Sequence, residues 1–431
     1  MTPEDLDRVA DSFTSFHANF APLFGRSEAQ RRSEQYLRGL LVQHAARRNA
    51  ENIAEAIPDA SARALQRFLS EAPWQHRPVI AALQRFLGSR LSSPDSVFIF
   101  DETAAAKQGK HSVGVARQYS GTLGKVGSCQ VGVFLAYASP LGHALLDGEL
   151  YLPQQWIADP QRCQAAGVPA DTKMRTKGDL AWALLERARQ SGQWAGRWVT
   201  GDAVYGSDPA LRDAVDQAQL YYVFEVRSNE RVFTSRPATA IPAWKGRGPH
   251  PHKERRVTDS AAPQTVAEVA AGVPVGQWRT LTVAEGAQGP RRYQFYRQRV
   301  WECGDALPGR ACWLLLRRKL DGSDLKYCLS NAPQRTTLLR MGQVGATRWN
   351  IETEFELTKS EAGLVEYEIR SWDGWYHHMT MALLAGAFLL QLQQEWGGKD
   401  AAHHAAASEP GSTGVTAATR MDEAGVNRLA A

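Results

Sequence analysis

The chain has 431 residues, 43% hydrophobic and 22% charged, with 50 Lys and Arg against 45 Asp and Glu. That apolar content suffices for a sizeable core and excludes disordered, collagen-like and coiled-coil classes, while the length suits about three domains. No run reaches the roughly 18 apolar residues of a membrane span, and the acidic start MTPEDLDRVADSF lacks an apolar signal core, so a soluble intracellular protein is expected.

The segments 6–24, 28–50 and 60–69 carry apolar residues at three- and four-residue spacing, which predicts three helices. Arg47 and Arg48 would close the second, and Asp59 would cap the third. This helical region, 1–92, is either a DNA-contacting domain or a plain bundle. SVFIFDE at 96–102 predicts a strand ending on Asp101, and 126–139 predicts a second strand. A helix over 180–190, a strand running into a turn at Asp202, a helix over 210–218 and a strand over 220–228 follow. That alternation predicts an α/β sheet layered with helices, its first part covering 93–228. A Pro-, Gly- and Arg-rich stretch, 229–312, reads as a β-rich insertion, and 313–396 returns to the sheet and ends in a long core helix over 374–396. The tail, 397–431, is expected not to fold. The five scattered cysteines show no metal-binding spacing, so reduced, mostly structural thiols are expected.

The small net charge hides an asymmetry. Residues 227–319 hold 17 Lys and Arg against 7 Asp and Glu, so the rest of the chain carries a net of five negative charges. Arg255, Arg256, Arg297 and Arg299 lie in this stretch, interleaved with Tyr293, Phe295 and Tyr296. A phosphate backbone suits such a surface; a solvated, Arg-rich face is the alternative.

Three carboxylates stand out by position. Asp101 and Asp202 follow hydrophobic strands, and Glu352 lies in the helical RWNIETEFELTK. Taken singly, an Asp beside a turn is usually a turn former. Converging, the three could ligate a pair of hard cations that activate a water or a 3′-hydroxyl. Arg348, Glu352 and Lys359 share one helix face, which reads equally as a solvated salt-bridge face. Asp95, Glu102, Glu354 and Glu356 are neighbours that could be mistaken for the three.

The chain resembles the insertion-sequence transposases of the DDE superfamily over roughly residues 20–395. One branch carries a Tyr-x2-Arg-x3-Glu-x6-Lys signature, and Arg348, Glu352 and Lys359 match its spacing; Gly345 stands where that branch has Tyr. FDET at 100–103, HSVGVARQYSGTLGK at 111–125, TGDAVYG at 200–206 and RSWDGWYHHMTMALLA at 370–385 look like the same family. The resemblance implies an RNase H-like mixed sheet with flanking helices, interrupted by the β-rich insertion and preceded by the helical domain. It implies Asp101, Asp202 and Glu352 as catalytic and metal-binding residues, with Mg²⁺ as cofactor and Mn²⁺ able to substitute. Arg348 and Lys359 would hold DNA phosphates beside them, with Arg255, Arg256, Arg297 and Arg299 as further DNA contacts. It implies cleavage of transposon ends and joining to target DNA by a homo-oligomer, at least a dimer, away from membranes and on the nucleoid within the cytoplasm. A transposase-derived DNA-binding protein that no longer cuts, and an RNase H-like nuclease without transposition, are the alternatives.

Lys107, Lys110 and His111, and the cluster Lys173, Arg175 and Lys177, could meet phosphate or be solvated. His377 and His378 suit packing or hydrogen bonding, and Tyr205 either stacks on a base or fills the core. Trp198, Trp313 and Trp372 are expected in the core.

Overall fold

A computed structural model of the chain describes residues 2–42, 47–120, 124–286 and 289–404. The chain divides into two compact units, Met1–Gly196 with Trp349–Ala431, and Arg197–Arg348.

Helix α1 (Pro3–Ala18) starts at a capping box: the Thr2 hydroxyl accepts from the Asp5 N–H, and the Asp5 carboxylate accepts from the Thr2 N–H. A 3-10 turn at Ala21–Phe24 follows, so the helix predicted over 6–24 is split. Pro22 brings no N–H with which to continue it. Helix α2 (Ser27–Leu41) ends earlier than predicted, where Val42 turns extended; residues 43–46 of that prediction lie outside the described residues. Arg48 closes no helix. It is buried, and its guanidinium pairs with the Glu366 carboxylate at 3.4 Å. After α3 (Ala50–Ala56), helix α4 (Ala62–Ser70) has Ser61 at its cap position. Asp59, expected there, instead takes a left-handed turn conformation at φ 57°, which Asp tolerates better than most residues. Helix α5 (His76–Leu91) completes the set.

Strand β1 (Val97–Ala106) does not end on Asp101 as predicted. Its antiparallel pairing with β3 (Lys125–Ser139) continues from Asp101↔Phe134 to Ala106↔Cys129, which places Asp101 in mid-strand. Strands β2 (Ala116–Ser120) and β4 (Gly142–Leu150) pair with successive parts of β3. Short helices α6 (Gln154–Ile157) and α7 (Pro160–Ala165) lead to α8 (Lys177–Gln190), which buries Leu180, Ala181, Leu184, Leu185 and Ala188 and packs on β3.

The second unit begins with β5 (Trp198–Gly201), followed by α9 (Ala203–Gly206) and α10 (Pro209–Gln217). These supply the crossover that a parallel pairing with β6 (Tyr221–Val226) requires. Strands β7 (Arg231–Phe233), β8 (Thr239–Ala240), β9 (Arg255–Arg256) and β10 (Gln264–Thr265) precede helix α11 (Val266–Ala271). The long antiparallel strands β11 (Arg279–Gly286), β12 (Gly289–Gly304), β13 (Leu307–Arg318) and β14 (Lys326–Ser330) follow. Strand β14 pairs with β6, and β13, β12 and β7 continue the same sheet outward from β14, so strands of 229–312 are part of the sheet they were expected to interrupt. Helix α12 (Leu338–Thr347) covers β5, β6, β11 and β12. Buried Arg212 binds Glu302 at 3.0 Å and Glu230 at 3.3 Å, so its charge is compensated in the core.

The chain then re-enters the first unit as α13 (Trp349–Glu361) and α14 (Trp372–His404). The latter is the core helix its sequence predicts. Phe388 meets Phe13 at 5.4 Å and Phe16 at 5.3 Å, and the Tyr36 hydroxyl hydrogen-bonds His378 Nδ1 at 2.8 Å. Residues 397–404, expected in the tail, continue α14 instead, and residues 405–431 lie outside the described residues. The mixed α/β class with flanking helices is therefore as expected. Among the described residues no helix is long and apolar enough to cross a membrane. All five cysteines are free thiols, as expected.

Candidate active site

In the first unit, the apolar run Val97–Phe100 buries itself completely and so fixes the half-buried Asp101 that follows. The Asp101 Oδ1 accepts from the Glu102 N–H at 2.8 Å. Helix α13 packs on β1 and β4 and buries Ile351, Phe355 and Thr358, spaced four and three apart, with the Phe355 ring 5.5 Å from Phe134. That packing brings Lys359, half-buried on the same helix, into electrostatic contact with Asp101. Burial pushes the Lys359 ammonium below its usual range, while Asp101 and then Glu356 pull it back up. Glu352 is exposed in the first turn of α13, where helix N–H dipoles favour a carboxylate.

The neighbouring acids separate by environment. Glu354 is buried and lies 2.5 Å from His143 Nδ1, joining α13 to β4. Glu102 pairs with Lys177 at 2.6 Å. Asp95 and Glu356 are exposed.

In the second unit, Asp202 follows β5 and caps α9, its carboxylate accepting from the Val204 N–H at 2.9 Å. The Thr200 hydroxyl anchors that strand by donating to Val223 O at 2.7 Å. Gly206 ends the turn so close to the Glu225 carbonyl that a Cβ there would collide with backbone. Arg348 falls between α12 and α13, so the single helix face predicted for Arg348, Glu352 and Lys359 is interrupted at its first member. Its guanidinium lies 3.6 Å from the Glu225 carboxylate.

The basic residues of the insertion differ in their engagement. Arg255 is exposed on β9, and Arg256 beside it donates to Ser260 O at 2.7 Å. Arg297 and Arg299 both stack on Trp313, at 4.4 and 5.1 Å, and donate to the carbonyls of Thr336 and Ala311. Both cations thus sit over an aromatic ring.

Lys107 donates to Tyr367 O at 2.6 Å over the Tyr367 ring, and burial brings its pKa down to about 8. Lys110 and His111 are exposed, as is Lys173, with Arg175 and Lys177 half-buried. His377 and His378 are buried and hydrogen-bonded, and Tyr205 and Trp198 are in the core. Trp313 and Trp372 are only half-buried.

Sequence reasoning missed one cluster of buried charge. Arg77 and Arg187 clasp Asp147 and Glu149 of β4, with Glu149 2.6 Å from Arg77 and 2.7 Å from Arg187. Burial opposes the Glu149 charge, but the two guanidinium groups outweigh it and hold its pKa at about 2. The signal available was two acids alternating inward within the apolar stretch ALLDGEL.

The three proposed ligands are all carboxylates, a donor set suited to Mg²⁺ or Mn²⁺ rather than to a soft ion. Among the described residues no group of three or more His, Cys, Asp and Glu side chains is arranged to hold a metal ion.

The model of the DDE superfamily endonuclease family matches residues 19–290. The probable transposase for insertion sequence element IS701 of Microchaete diplosiphon is 28% identical over 204 residues, 46% of this chain and 49% of that protein. The chain thus matches about half the length of that relative. A cryo-EM structure of the piggyBac transposase synaptic complex with hairpin DNA superposes with a TM-score of 0.44 at 10% identity, covering 98% of this chain and 77% of that one. The family match takes in well over half of the chain, and the protein belongs to the DDE superfamily endonucleases.

Proposed function

We propose that the protein is an insertion-sequence transposase that cuts the ends of its element and joins them to target DNA. The observation that supports this reading is the packing of helix α13 on strand β1, with the half-buried Lys359 of the helix under the electrostatic influence of Asp101 on the strand. A carboxylate beside a partly desolvated ammonium suits a site that handles phosphate. Family membership supplies the context.

In this reading Asp101, Asp202 and Glu352 hold Mg²⁺, with Mn²⁺ able to substitute. The bound cations would activate the attacking oxygen and neutralise charge on the leaving one. Lys359 and Arg348 hold non-bridging phosphate oxygens so that the attacking water or 3′-hydroxyl is in line with the bond that breaks. Hydrolysis forms one P–O bond from water and breaks the P–O bond to the 3′ oxygen, which leaves as a hydroxyl. That hydroxyl then attacks a phosphodiester of the target. Arg255, Arg256, Arg297 and Arg299 contact the DNA backbone. The protein acts as a homo-oligomer, at least a dimer, on paired ends, in the cytoplasm and on the nucleoid. Residues 1–92 serve as a helical, DNA-contacting domain, 93–228 and 313–396 as the two parts of an RNase H-like core, 229–312 as the basic insertion, and 397–431 as a tail.

The test is a joining assay. Purified protein, Mg²⁺, a labelled duplex carrying the element's end and a plasmid target are expected to give end-joined plasmid, abolished by EDTA. A protein that binds the end duplex yet yields neither nicked nor joined product in Mg²⁺ or Mn²⁺ overturns this reading in favour of a non-cutting DNA-binding protein. Cleavage of branched DNA without joining would favour a nuclease.

A further inference from the structure

The first unit contains a cavity of about 480 Å³ that the proposed chemistry does not use. This is within the size range of small-ligand sites. Its wall includes His76, at the start of α5, whose Nε2 is buried with no hydrogen-bond partner. That nitrogen has almost no accessible surface, so what His76 offers the cavity is the rest of its ring, as part of an aromatic wall. Burial, reinforced by the Arg77 charge, brings the His76 pKa down to about 3, so at neutral pH the ring is uncharged.

The remaining walls combine two chemistries. Tyr376 stacks on His76 at 4.5 Å and meets Trp372 at 4.9 Å, and Trp372 is only half-buried, so an indole surface remains available. Lys173 and Arg175 stand at the same cavity, with Asp171 beside them. The charges of Arg77 and Arg187 are already balanced by Asp147 and Glu149. Lys173 and Arg175 against Asp171 therefore leave one net positive charge for a ligand. An aromatic wall of His76, Tyr376 and Trp372 and one surplus cation form the complement of a base carrying a single phosphate.

We propose that this cavity binds one unstacked nucleotide, its base against Trp372 and its phosphate on Lys173 and Arg175. Such a nucleotide is either one swung out of a DNA duplex or free in solution; the chemistry is shared. The DNA source rests on the transposase reading, whereas the free source does not, so the two can fail separately.

The test titrates the full chain with deoxynucleoside monophosphates by calorimetry, alongside inorganic phosphate and deoxyribose 5-phosphate. Saturable binding of at least one mononucleotide is expected, with the two base-free anions at least about tenfold weaker, since stacking is worth about 1–3 kcal/mol per base. The double variant Lys173→Ala with Arg175→Ala removes cations from an exposed and a half-buried site and is expected to weaken binding by about tenfold or more. Trp372→Phe, which keeps an aromatic ring, is expected to weaken it less than the double variant. A parallel competition compares paired duplex with duplex bearing one extrahelical nucleotide. A preference for the latter that the double variant loses assigns the DNA source; mononucleotide binding without that preference assigns the free source. No saturable binding of any mononucleotide and no duplex preference overturns the proposal. So does equal binding of inorganic phosphate, which would make the cavity a plain anion site.

Discussion

Lys359 comes under the influence of the Asp101 charge because α13 packs on β1 and β4, and the ammonium is carried along with that helix. If Lys359 holds phosphate, Lys359→Ala weakens DNA binding about equally across sequences and lowers the salt-dependence slope by about 1, as fluorescence anisotropy at several ionic strengths would show. Lys107 makes a second prediction. Its folded pKa of about 8 lies below the ordinary 10.5, so between those values the unfolded chain holds a proton that the folded chain has released. Its contribution to stability therefore rises as pH goes from about 8 towards 10.5. The difference in Tm between wild type and Lys107→Met should shift in favour of wild type across that window and stay flat below it. Asp101, Asp202 and Glu352 were legible as candidates because each stands just after or within a strongly patterned segment. The Glu354–His143 pair was not legible, since it joins residues 211 positions apart, and no local pattern records such a contact.

At the scale of elements, patterning served best where burial is one-sided or complete. Helices α8 and α14 and strands β3, β5 and β6 could be placed from their apolar spacing. Strand β4 was missed because Asp147 and Glu149 break its apolar run, and only the distant Arg77 and Arg187 make their burial tolerable. Strand β1 was drawn too short because DET reads as a turn, whereas pairing with β3 carries it on to Ala106. The β5–α9 turn that holds Asp202 depends on Gly206, where a side chain would strike the backbone of Glu225. Gly206→Ala is expected to destabilise the protein by about 1–3 kcal/mol through overpacking, visible as a lower midpoint in urea. Because the turn holds Asp202, the same variant should also cut less DNA at temperatures where it remains folded.

At the scale of the whole molecule, the net charge of +5 is a difference between a strongly basic stretch and an acidic remainder. Several arginines of the basic stretch 227–319 lie on aromatic rings, with Arg318 over Trp278 at 3.9 Å and Arg317 over Tyr293 at 4.8 Å. An aromatic ring holds a cation on the strand without itself supplying a countercharge. DNA binding should therefore fall steeply with salt, and charge-removing changes in 227–319 should cost more affinity than equal numbers elsewhere. The division into two units, with Asp101 and Glu352 in one and Asp202 in the other, could not be read from spacing, because the returning helices α13 and α14 belong with the N-terminal half. The most direct test of the account is Mg²⁺-dependent cleavage of element-end DNA by Asp101→Asn, Asp202→Asn and Glu352→Gln, each checked for retained DNA binding. Each substitution keeps shape and removes one negative oxygen donor, and each is expected to lower the cleavage rate by about a hundredfold or more while binding persists. Wild-type cleavage rates in any of the three would contradict the assignment of that carboxylate to the catalytic site.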